Sequence, residues 1–184
     1  MPPMPPRIAP RPRSGNPPDT QELIEGALPA DGPTANIFLT LAHHPGLMRR
    51  YLPFGGKLLM KGKLPGRERE LVILRTAWLC QSDYEWGQHV RIGRVEGLTD
   101  EEMDRIPAGL ATDGWSAFDG VLLRAADELV ADHRLSDLTW SALSERYDDQ
   151  QMIELTLLVG NYAMVAGMLN SIGVEREPGV AGFP

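Results

Sequence analysis

Apolar residues recur every three or four positions along most of the chain, the spacing that gives a helix one buried face. In "RERELVILRTAWLC" Leu71, Leu74 and Trp78 share a face, with Arg75 at its edge. In "AFDGVLLRAADELVADHR" the stripe is Phe118, Leu122, Ala125 and Leu129, and Ser116 stands where a cap belongs. Thr34 can cap "ANIFLTLAHH", and Pro45 can open "GLMRRYL" before Pro53 interrupts it. Thr99 and Glu102 form a capping-box pair for "DEEMDRI". A shorter helix is expected over "LTWSALSERY", and a long one over "QQMIELTLLVGNYAMVAGMLNSI", closed by Gly173. No stretch alternates with period two between turn signals, so the expected class is all-α.

Two segments fall outside that pattern. Residues 1–18 hold eight prolines and three arginines. They are expected to form an extended arm, disordered alone and able to lie across a neighbour in an oligomer. Residues 19–184 are then the helical domain. "PFGGKLLMKGKLPG", Pro53 to Gly66, has a glycine pair but no phosphate-loop pattern, and is expected to be a mobile loop, a lid or a linker.

Composition narrows the class further. The chain has 184 residues, 42% of them apolar, and a formal net charge of −7. That length suffices for one domain with a sizeable core, and the charge gives no reason to expect nucleic acid as a partner. The most apolar run, Leu155 to Val174, is long enough to span a bilayer but contains Asn161, Tyr162, Asn170 and Ser171. A buried core helix is expected there rather than a membrane span. No apolar stretch follows a basic start, so no secretory leader is expected, and one cysteine points to a reducing, cytoplasmic home.

The densest chemistry lies in "LCQSDYEWGQHV", Leu79 to Val90. Ser82 and Glu85 have the spacing of a capping box, with Asp83 favoured by the helix dipole and Trp86 and Val90 facing the core. Glu85 and His89 are also one turn apart on one face, where a carboxylate can orient an imidazole and raise its pKa. Glu70 precedes this region on the previous helix; folding back could bring it to His89, or it could pair with Arg67. Tyr84 adds a phenol. His43 and His44 point in different directions on a helix and suggest no metal site. Tyr162 and Asn170 are expected to make structural hydrogen bonds, or to border a neighbour's pocket in an oligomer.

These residues resemble the carboxymuconolactone decarboxylase family, which includes the alkyl hydroperoxidase D proteins. The similarity centres on Arg67 to Ile106 and returns in "ELTLLVGNYAMVAGMLNSIGV", so that it spans roughly Thr34 to Val174. The peroxidase branch carries a glutamate, eleven residues, then C-x-H-C-x-x-x-H; here these positions are Glu70, Ser82, Tyr84, Glu85 and His89. Both thiol positions are altered, and Cys80 has no partner for a dithiol cycle. The resemblance implies an acid–base set of Glu70, Glu85 and His89, with Tyr84 and Ser82 contacting a small-molecule substrate. It implies neither metal nor cofactor. The decarboxylase branch suggests loss of CO2 from a lactone acid and protonation of the resulting dienolate by His89, with Glu85 setting its tautomer and Tyr84 or an arginine holding the substrate carboxylate. A homo-oligomer is implied as well. Peroxidase activity and a non-catalytic scaffold are the competing expectations.

Overall fold

The computed structural model describes residues 5–28 and 35–184, and over these every regular element is helical. The order is α1 (Pro18–Ala27), α2 (Asn36–Leu41), α3 (Pro45–Met60), α4 (Gly66–Leu79), α5 (Asp83–Val95) and α6 (Asp100–Arg105). A 3₁₀ turn (Ile106–Ala111), α7 (Ala117–Ala131), α8 (Asp137–Ser144) and α9 (Asp149–Ile172) complete it. Thr34, the expected cap of α2, lies outside the described residues.

Most boundaries follow the expected chemistry. Thr99 and Glu102 close a reciprocal capping box on α6, and Ser116 accepts from the Asp119 N–H at the start of α7. Gly173 ends α9 at φ 76°, a left-handed conformation that a side chain would disfavour. Asp148 and Gln151 form a second capping box at the start of α9.

Pro53 does not interrupt its helix. α3 runs through it to Met60, because burial continues on both sides of the proline, from Met48 at the start to Leu58 near the end. Proline removes one backbone bond; the apolar face on either side outweighs that loss. The expected mobile loop therefore shrinks to residues 61–65, and even these are held. The buried Glu154 carboxylate of α9 accepts from the Lys63 N–H at 2.7 Å and the Leu64 N–H at 2.9 Å.

The helices make two main hydrophobic cores and a small third one, in which Tyr84, Val165 and Leu169 pack with Ile37 and Tyr51. The larger surrounds α4, which is buried along most of its length and packs against α5, α7 and α9. Arg75 at the edge of α4 is held by Asp127 on α7 at 2.6 Å and by the carbonyls of Ile106 and Pro107. The smaller core joins α1, α2 and α3 through Ile24, Leu28, Leu39 and Met48. α9 is long and apolar enough to cross a membrane, but Leu155, Leu158, Ala166 and Leu169 are buried inside the fold.

Residues 5–18 of the arm lie against their own chain. The Arg7 N–H donates to the Ile172 carbonyl at 2.7 Å, the Arg11 N–H to Leu39, and His43 bonds the Ala9 carbonyl. The Arg7 guanidinium adds a bond to the Ser171 carbonyl at 2.9 Å.

Beyond α9 the chain turns back over α5. Arg176 pairs with Asp83 at 2.6 Å, the Phe183 N–H donates to the same carboxylate, and the Phe183 ring sits 5.0 Å from Trp78 and 5.6 Å from Trp86. Gly87 permits this crossing: a Cβ there would meet the Ala181 carbonyl and lie 2.7 Å from Val180 Cγ1. Gly87→Ala is accordingly expected to displace the segment, at a cost of about 1–3 kcal/mol. Tryptophan emission should shift to the red as Phe183 leaves Trp78 and Trp86. Unchanged emission and stability would show that the crossing is not tight.

Candidate active site

The turn between α4 and α5 creates the site. Gln81 takes φ 53°, unusual for a residue with a side chain, and its amide bonds the Trp78 carbonyl across the reversal. α5 then runs back along α4 and brings His89 to Glu70. His89 Nδ1 lies 2.7 Å from Glu70 Oε2, and His89 Nε2 lies 3.4 Å from Glu85 Oε2. All three side chains are buried, Glu70 completely. Behind them, Glu70 Oε1 accepts from Arg69 at 2.8 Å, and Arg69 reaches Glu96 at 3.0 Å. The arginine that pairs with Glu70 beside His89 is thus Arg69, not Arg67, which pairs with Glu102 and Asp119.

Electrostatics follow from this geometry. Burial opposes charge on His89, but Glu70 and Glu85 outweigh it and push the imidazole up to about 9. Burial likewise opposes charge on Glu70, yet His89 and Arg69 hold it below the usual carboxylate range. At neutral pH His89 is therefore an imidazolium that donates its Nδ1–H to Glu70, leaving Nε2–H on the side of Glu85.

That side is a cavity of about 540 Å³ between the two cores, with walls from α1, α2, α3, α5 and α9. Glu85 and His89 line it, and Glu70 sits behind. Ile37, Phe38, Leu52, Leu59 and Ile92 give it apolar walls, and Tyr51, Asn161 and Tyr162 give it polar ones. The Tyr162 ring stands edge-on to His89 at 4.9 Å and 89°. Burial raises both phenols, Tyr51 to about 12 against an opposing hydrogen bond with Asn161, and Tyr162 further with Glu85 nearby, so both stay protonated.

Of the two expected substrate contacts, Ser82 lies off the cavity and Tyr84 lines it. Ser82 is fully buried, does not line the cavity, and its hydroxyl has no partner. Nor does it cap α5: the reciprocal box with Glu85 does not form, because the Glu85 carboxylate turns to His89. Tyr84 does line the cavity, but its hydroxyl is engaged. It accepts from the Ile37 N–H at 3.1 Å and donates to Glu177 at 2.8 Å. Glu177 also accepts from Gln88 and from the Asn36 N–H, and so ties α2, α5 and the segment after α9 into one wall. Its role was not visible in sequence, since nothing local to Glu177 marks its partners.

Tyr51 and Asn161 were also missed as site residues. Their signal was a polar group on an otherwise buried helix face, the same signal that singled out Tyr162 and Asn170. It does not discriminate: Asn170 serves structure by donating to the Cys80 carbonyl at 2.8 Å, while Asn161 faces the cavity. Cys80 is half-buried, lies outside the cavity lining, and burial pushes its thiol up. Among the described residues, no three His, Cys, Asp or Glu side chains are grouped to hold a metal ion.

Residues 45–128, which contain Glu70, Glu85 and His89, match the carboxymuconolactone decarboxylase family. Among solved structures, the chain is similar to an alkylhydroperoxidase AhpD core, an uncharacterized peroxidase-related protein from Ralstonia eutropha JMP134. They share 24% identity over 93% of each chain, with a TM-score of 0.78. An uncharacterized peroxidase-related protein from Silicibacter sp. TM1040 is similar over 98% of this chain and 96% of its own, at 15% identity and a TM-score of 0.82. At these identities the likeness speaks to the fold alone. No curated protein matches the sequence. Residues 45–128 thus match the carboxymuconolactone decarboxylase family on a helical frame similar to AhpD-like structures, in a chain with a single cysteine.

Proposed function

We propose that the protein is a cofactor-free lyase or isomerase that moves protons on a small enolisable molecule. The observation that carries this reading is the buried chain Glu85–His89–Glu70, with its first two members on the cavity and its third holding the imidazole charged. The Glu85 carboxylate can take a proton from carbon beside a carbonyl, and the His89 imidazolium can return one to the enolate, or to the dienolate left by loss of CO2. The Tyr51 and Tyr162 phenols can donate to the enolate oxygen. Glu70 is a positioning residue, fixing the ring and its charge without touching substrate.

The missing capping box favours an acid–base site over a scaffold, since Glu85 gives up that bond for His89. The position of Cys80 gives a thiol peroxidase no support. We place the protein in a reducing compartment, on its single unpaired thiol. We also propose that copies of the chain associate through α9, where Ile153, Leu157 and Met164 are exposed one or two turns apart.

The test is proton exchange at carbon. Wild-type protein is incubated in D2O with 2-tetralone, and with γ-carboxymuconolactone while CO2 is followed. Turnover of either compound is expected, falling by about 10²–10⁴-fold in His89→Gln and Glu85→Gln. Cys80→Ser should leave it unchanged. Turnover that survives in both site variants, or none in wild type, would overturn the reading.

A further inference from the structure

One polar atom of the cavity wall is left unanswered by the fold. The Asn161 side chain is buried on α9 and lines the cavity; its amide lies against the Tyr51 phenol, but its Oδ1 has no hydrogen-bond partner. A buried amide oxygen without a donor is costly, and a ligand O–H or N–H set against it removes that cost. The rest of the lining says what else the ligand must be. Most of it is aliphatic or aromatic, and no lysine or arginine is among the described lining residues. His89 is the one cation there, and two carboxylates already flank it. Arg69, the nearest arginine behind the site, is taken by Glu70 and Glu96. An anionic ligand would give up its water for a carboxylate neighbour and no free cation.

We infer that the cavity binds an uncharged, largely apolar molecule through an O–H or N–H donor placed against Asn161 Oδ1. This rests on the acid–base reading and narrows it. The substrate is a neutral enolisable carbonyl compound with such a donor; among the described lining residues no arginine is present to clamp a substrate carboxylate, and the Tyr84 hydroxyl is already engaged.

Three probes of one shape separate the possibilities: 2-naphthol, 2-methoxynaphthalene and 2-naphthoate, titrated calorimetrically into the full chain at neutral pH. The first carries a donor, the second lacks it, and the third is an anion. In wild type, 2-naphthol should bind about tenfold more tightly than either of the others. In Asn161→Leu the advantage over the ether should vanish while 2-naphthoate stays excluded. Should that variant fail to fold, the wild-type ratios decide alone. Equal or tighter binding of 2-naphthoate, equal binding of 2-naphthol and its ether, or no binding of any probe would each overturn the inference. The expected ratios in a protein that exchanges no 2-tetralone deuterium would uphold the ligand class and sink the acid–base reading. Exchange together with a preference for the anion would do the reverse.

Discussion

Glu70→Gln is expected to cost about 3–5 kcal/mol of folding stability and to bring the His89 pKa down from about 9 toward 6.5. Glutamine keeps the shape of the side chain and removes its charge. Arg69 and His89, both bonded to that carboxylate at 2.7–2.8 Å, would then face each other with Glu85 and Glu96 as their remaining partners. Glu70 is completely buried, so water cannot replace what is lost. His89 would escape part of the cost by releasing its proton, and the penalty should therefore be larger near pH 6 than near pH 9. Urea unfolding at both pH values, with the His89 ring followed by NMR, checks each statement. A loss below about 1 kcal/mol with His89 still titrating near 9 would mean that Glu85 alone holds the charge.

The second large effect needs no mutation. His89 titrates at about 9 in the folded chain against 6.5 without its partners. Between those values the folded state binds a proton that the unfolded state has released. The resulting stability is fully present below pH 6.5 and is lost as the pH rises through about 9, on the order of 3 kcal/mol in all. Glu70 is held below 4.5, so its share is present above that value and disappears as the pH falls through the lowered one. It is the same ion pair seen from the acid side and is not counted again. The Tyr51 and Tyr162 phenols are both raised by burial and stay neutral through this range. Unfolding free energy measured from pH 6 to 9.5 should show the decline, and His89→Gln should flatten it. A wild-type curve as flat as that of the variant would refute it.

The helical class was legible because each helix carries its own stripe and most carry their own cap. Glu70, Glu85 and His89 were legible for a similar reason: one helix turn relates the last two, and one tight reversal brings in the first. Local pattern was ambiguous at Ser82 and Glu85, where one spacing serves both a cap and a site. What decided it was a partner on the facing helix, which no capping rule includes. Pro53 misled because the rule weighs one missing backbone bond and not the burial on either side. Tyr51, Asn161 and Glu177 meet the site from segments far apart in sequence, and the charge arrangement that disfavours an anion is visible only when they are assembled.

The cavity lies between a small core made by α1 to α3 and a large one built around α4. Opening of the smaller core, which Ile37 and Tyr51 tie to α5 and α9, would open the cavity with it. A ligand that touches both walls couples its own affinity to that local opening. Amide hydrogen exchange in α2 and α3 should slow as ligand is added, while that in α4 and α7 stays at the rate set by global unfolding. Substrate entry and the breathing of the first three helices would then be one motion, and a variant that stiffened the small core would hold its ligand longer and release product more slowly.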